Sequence, residues 1–131
     1  MNKHEYPNLG ETLYEEVLPN GLSVLVAVKP SFRKNAAFFA TRYGGADRRF
    51  KVNGEWIDTP AGVAHFLEHK MFDMPDGRNV LSDFAALGAS PNAFTGTGHT
   101  AYYFTGSENF MENLRLLLTL SLIHISEPTR P

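Results

Sequence analysis

Two histidines four residues apart, His65 and His69, enclose Glu68 in the order H-x-x-E-H. Imidazoles are ready nitrogen ligands for zinc, and a carboxylate beside them can take a proton from a water that the metal acidifies. The spacing matters because residues i, i+3 and i+4 share one side of an α-helix. If the stretch from Gly62 to Phe72 is helical, His65, Glu68 and His69 converge and the two imidazoles stand about one turn apart. H-x-x-E-H is also the inverted form of the metal-hydrolase pattern H-E-x-x-H. This spacing supports a division of labour in which His65 and His69 bind the metal and Glu68 acts as general base. A five-residue pattern also arises by chance among surface or core histidines, so its setting has to carry weight.

The elements around the motif give it a plausible scaffold. Thr59 and Pro60 read as the start of its helix, with Thr at the N-cap and Pro in the first turn. Val63, Phe66, Leu67 and Met71 then form an apolar stripe, with His65, Glu68, His69 and Phe72 roughly opposite. Before the helix, residues 1–10 read as a loose lead-in and Thr12 to Leu18 as a short strand. Asn20-Gly21 marks a hairpin into a strand over Leu22 to Val28. Ala36 to Tyr43 is a further strand closed by Gly44 and Gly45, and Arg48 to Trp56 reads as a polar excursion. After the motif come a turn at Pro75–Gly77 and a helix from Asn79 to Leu87 that stops at Gly88. Two strands, Pro91 to Gly96 and Thr100 to Thr105, are joined through Gly96-Thr97-Gly98. Ser107 can cap a last helix from Glu108 to about Thr119. The pattern is α+β: an antiparallel sheet with helices packed on one face. Phe38, Phe39, Phe84, Tyr102, Tyr103 and Phe104 are expected in the core.

Composition narrows the chemistry. The 131 residues are 43% apolar and 20% charged, ordinary for a globular domain. A net charge of −2 gives no argument for nucleic acid or an anionic membrane as partner. There are no cysteines, so thiolate catalysis, disulfides and cysteine-ligated zinc are excluded, and any metal must use His, Asp or Glu. A cysteine-free chain with no apolar leader at its N-terminus and no run long enough to span a bilayer is expected to be cytoplasmic. His4 reads as a solvated residue and His99 as part of a hairpin. Arg48, Arg49 and Lys51 read as a solvated basic cluster.

The C-terminal stretch departs from this pattern. From Leu120 to Pro131 the leucine periodicity gives way to alternation and then to a proline-rich end. The string is similar to the in-frame translation of a sequencing-library adapter. Residues 120–131 are therefore expected to be a non-native tail appended to a domain covering 1–119, and His124 and Glu127 are not taken as ligands.

Several separate stretches resemble the insulinase/pitrilysin family of zinc metallopeptidases, which includes the mitochondrial processing peptidases. They are Leu18 to Leu22 and the strand after it, Tyr43 to Gly45, Gly62 to Phe72, Gly88 to Thr95, and Thr100 to Phe104, in that order along Leu9 to Thr119. The resemblance implies a zinc ion (Zn2+) held by His65 and His69, with Glu68 as general base. It also implies that Asn92 and Ala93 lie on an edge strand beside the metal. There the backbone would pair with an extended peptide substrate, and Asn92 would help hold the scissile carbonyl. Read from the residues alone, Asn92 is an asparagine capping a turn after Pro91.

The family's third zinc ligand is a glutamate in a later helix, and counting from His69 places it beyond Pro131. Glu108 and Glu112 come too early. The resemblance thus implies the N-terminal part of a metalloendopeptidase, without its third ligand and without the homologous second half or partner subunit that closes the family's chamber. Such a fragment is expected to be inactive alone. One alternative is a non-catalytic peptide-binding or partner subunit of the same fold, against which the intact H-x-x-E-H argues. Another is a lyase of related fold acting on S-ribosylhomocysteine, but that chemistry needs a cysteine.

Overall fold

A computed structural model of the chain describes residues 1–74 and 76–126, with side chains described through Leu120. The chain divides into two compact units, Met1–Arg33 and Lys34–Pro131. The first is an antiparallel meander of β1 (Asn2–Tyr6), β2 (Glu11–Val17) and β3 (Ser23–Val28). The lead-in is thus a strand. All five β1 residues are exposed, so no burial pattern marks it in the sequence. The Asn20-Gly21 turn forms as expected. Gly21 takes the left-handed conformation at φ 86°, and Asn20 instead accepts a hydrogen bond from the Leu22 N–H at 3.1 Å.

The second unit holds the motif. Its main sheet has the order β4-β8-β7, all antiparallel, from β4 (Asn35–Thr41), β7 (Ala89–Thr95) and β8 (Thr100–Gly106). A separate two-stranded hairpin, β5 (Arg49–Val52) with β6 (Glu55–Asp58), stands where a polar excursion was expected. Asn53 and Gly54 turn it with positive φ at both positions, as a type I′ hairpin requires. Among the described residues, three helices complete the unit: α1 (Val63–Lys70), α2 (Val80–Ala86) and α3 (Phe110–Ser126). Among the described residues, no helix is long and apolar enough to cross a membrane.

This is the α+β arrangement of antiparallel strands and helices expected from the sequence. Residues directly opposite one another in a ladder share a face. Ala93, Tyr102 and Phe39 form one such row and Pro91, Phe104 and Ala37 the next. That face carries the core, where Tyr102 and Phe104 meet Val80 and Phe84 of α2 and Leu117 and Leu120 of α3. The other face holds Phe38 stacked on Tyr103 at 4.7 Å. Phe38 is 62% exposed, so its expected place in the core is wrong: alternation along β4 gives the core Phe39 instead.

Both ends of α3 differ from expectation. Asn109, with φ 51°, precedes the helix, so Ser107 is not its cap. Instead, Asn113 is fully buried, and its amide group donates to the carbonyls of Leu87, Glu108 and Asn109, tying α3 to the loop after α2. The helix continues through Ser126 rather than ending near Thr119, and Leu120 is packed in the core at 1% exposure. Glu127 lies outside the described residues, as does Pro75 of the expected turn. That turn is closed by the Gly77 N–H donating to the Met74 carbonyl at 2.9 Å.

Candidate metal centre

Helix α1 starts later than Thr59-Pro60 indicated. The Thr59 N–H and hydroxyl both donate to the Arg48 carbonyl, so Thr59 closes the β5–β6 hairpin instead of capping α1. Gly62 takes the N-cap position at φ 91°, and its carbonyl accepts the first helical bond, from Phe66 N–H at 2.9 Å. From there α1 runs unbroken through the motif, so the 3.6-residue period does bring His65, Glu68 and His69 together.

The two imidazoles face each other. His65 Nε2 and His69 Nε2 are 3.0 Å apart, and the rings stack with centroids 4.9 Å apart and planes 16° from parallel. Two nitrogens bound to one tetrahedral zinc at its usual bond length would sit roughly 3.3 Å apart. A pair of exposed rings aimed this way therefore fits a shared cation with little rearrangement. A Glu68 oxygen completes a set of donor atoms lying within 4.8 Å of one another. This is the one group of three or more metal-capable side chains found among the described residues. Its nitrogen-and-oxygen donor set matches what zinc accepts when no cysteine is present.

Glu68 is held differently from the histidines. It is 9% exposed, whereas Phe66 at 60% and Leu67 at 44% face outward, so the expected apolar stripe is reversed over this turn. The side of α1 turned to the protein carries Ala64 and Glu68. A buried carboxylate needs a hydrogen-bond donor, and the Thr95 hydroxyl of β7 provides it to Glu68 Oε2. Tyr102, on the same sheet face, has its phenol pushed up to about 12, first by burial and second by the charge of Glu68. Neither Thr95 nor Tyr102 stood out in the sequence as a site residue. Alternation from Ala93 puts Thr95 on the helix-facing side, but its partner lies 27 residues away and is evident only in the fold.

Asn92 and Ala93 lie on β7, which among the described residues pairs only with β8 and so is an edge of its sheet. Asn92 is exposed and opposite Tyr103; Ala93 is half-buried and opposite Tyr102. By alternation the Asn92 side chain starts on the face away from α1. His99 stands exposed at the β7–β8 turn, edge-on to Phe94 at 5.7 Å. His4 is an exposed partner of Glu15 at 3.4 Å. Arg49 and Lys51 flank Trp56, each 5.0 Å from its ring.

Residues 54–118, which contain the whole His–Glu–His group and its Thr95 support, match the family model described as Insulinase (Peptidase family M16). The chain belongs to the insulinase family. A Bacillus subtilis protein named uncharacterized zinc protease YmfH is 48% identical over 116 residues, covering 87% of this chain and 27% of that protein. The mitochondrial-processing peptidase subunit beta of Dictyostelium discoideum is 37% identical over 62 residues, 38% of this chain and 13% of that protein. A crystal structure from Alicyclobacillus acidocaldarius, described as an M16-like peptidase, superposes with a TM-score of 0.80 at 38% identity. The alignment covers 98% of this chain and 28% of that one. The chain thus spans about a quarter of the length of YmfH and of the Alicyclobacillus acidocaldarius chain.

Proposed function

We propose that this chain carries the metal-and-base part of a zinc metalloendopeptidase. His65 and His69 hold the zinc through Nε2, Glu68 is the general base, and the β7 edge at Asn92 and Ala93 receives an extended peptide. The observation that carries this reading is the pairing of two converging imidazoles with a buried, hydrogen-bonded carboxylate one turn away. Family membership and the relatives' names support zinc and peptide-bond hydrolysis as the chemistry. Zinc, when bound, acidifies water and polarises a carbonyl.

The residues divide the remaining work. The Thr95 hydroxyl fixes one Glu68 oxygen, leaving the other to accept the proton of the attacking water. Glu68 then delivers that proton to the leaving amine nitrogen, so the carboxylate is regenerated. Main-chain pairing along β7 holds the substrate extended, and the Asn92 carboxamide helps to hold the scissile carbonyl. The third protein ligand to the zinc, and a homologous second half or partner subunit, are proposed to come from outside these 131 residues. The intact His65–Glu68–His69 group favours this catalytic reading over a non-catalytic subunit.

The test is Glu68→Gln in the protein expressed from its complete reading frame. Zinc content should stay at the parental level while peptide turnover falls by roughly 10²-fold or more. Turnover at the parental rate would show that Glu68 is not the base.

A further inference from the structure

The edge of β7 is not open in the resting protein. The Gly96 N–H donates to the His99 carbonyl at 2.8 Å, and the register continues as Thr95↔Thr100 through Ala89↔Gly106. Hydrogen-bonded and non-bonded pairs alternate along an antiparallel ladder. Phe94, Asn92 and Ser90 therefore turn their backbone groups toward β8, whereas Thr95, Ala93 and Pro91 turn theirs outward. Pro91 agrees with this phase, because a residue without an N–H is tolerated where the ladder needs no donor. The next outward amide is that of Ala93, and it already has a partner: it donates to Asn92 Oδ1 at 2.8 Å. Two successive outward positions of the edge are thus closed, one permanently by proline and one by a side chain that can rotate away.

We propose that the Asn92 carboxamide is a displaceable cap on the Ala93 N–H. It blocks edge-to-edge pairing at rest and yields only to an extended peptide whose carbonyl takes the place of Oδ1. Exposed strand edges invite unwanted pairing, and closing this one with a single weak bond keeps it available. Asn92 then sets access to the edge as well as contacting what binds there. The inference rests on the strand-addition reading of β7, but the cap itself can be measured without it.

The experiment is amide hydrogen exchange at Ala93, read by NMR on the 131-residue chain, with the Thr95 amide as internal reference. Loss of one exposed hydrogen bond in Asn92→Ala should speed Ala93 exchange by roughly two- to tenfold against that reference. Asn92→Asp keeps the acceptor and should stay near the parental rate. An acetylated, amidated peptide rich in valine and threonine is then titrated into the parent. The Ala93 amide and the Asn92 side-chain NH2 should shift together as the cap is exchanged for the peptide carbonyl. Unchanged Ala93 exchange in Asn92→Ala overturns the cap, whatever the peptide does. Faster exchange in Asn92→Ala, with no peptide moving the Ala93 amide at any concentration, overturns its displacement and sinks the strand-addition reading instead.

Discussion

Replacing Thr95 by valine removes the donor that holds Glu68 while keeping the β-branched shape of the side chain. The acceptor is a carboxylate at 9% exposure, so water does not readily replace the lost bond. Removing a hydrogen bond to a charged, buried group costs about 1.5–3 kcal/mol. In urea, that loss should lower the unfolding midpoint by roughly 1 M for a domain of this size. Circular dichroism at 222 nm is a suitable probe because α1, α2 and α3 lie in the Lys34–Pro131 unit. A double-mutant cycle with Glu68→Gln isolates the pair, since the same threonine bonds a neutral amide more weakly; a coupling of about 1 kcal/mol is expected. In the longer peptidase proposed above, Thr95→Val should lower kcat with KM little changed, and Thr95→Ser should restore it. A Thr95→Val protein within about 0.3 kcal/mol of the parent, or a cycle that is additive, would refute the claim that Thr95 positions the base.

Two further outcomes follow from the same unit. Leu120→Ala should destabilise it by roughly 2–5 kcal/mol, because the side chain is 1% exposed among Phe84, Phe104 and Leu117; an unchanged urea midpoint would mean that residue 120 is outside the folded core. Tyr102 releases its proton near 10 when unfolded and about 12 when folded. Between those values the unfolded chain binds fewer protons, so stability should fall as pH rises, and Tyr102→Phe should remove that slope in urea titrations across the range.

The sequence made the centre legible to different depths at different residues. The spacing of His65, Glu68 and His69 was enough to predict their convergence, because one helix satisfies it locally. The β7–β8 hairpin was likewise marked by glycines on either side of Thr97. What could not be read was which side of α1 the sheet would take. Phe66 and Leu67 look like core residues by hydropathy, yet they face outward while Glu68 faces in. The deciding partner, Thr95, lies on another element, and no helical period encodes it. Thr59-Pro60 has the chemistry of a helix start but is used to close a hairpin, and Gly62 begins the helix through its positive φ. Strands β1 and β6 are exposed at every residue, so alternation of burial could not reveal them. The outward phase of Ala93 and its closure by Asn92 depend on register, which the fold alone supplies.

The most direct test of the metal centre is a zinc titration of the chain followed through its imidazole 15N resonances by NMR. Coordination through Nε2 predicts that His65 and His69 shift together and saturate at one zinc per chain, while His4 and His99 stay in place. Zinc that leaves His65 and His69 unmoved, or that shifts His4 and His99 as much as His65 and His69, would contradict the assignment.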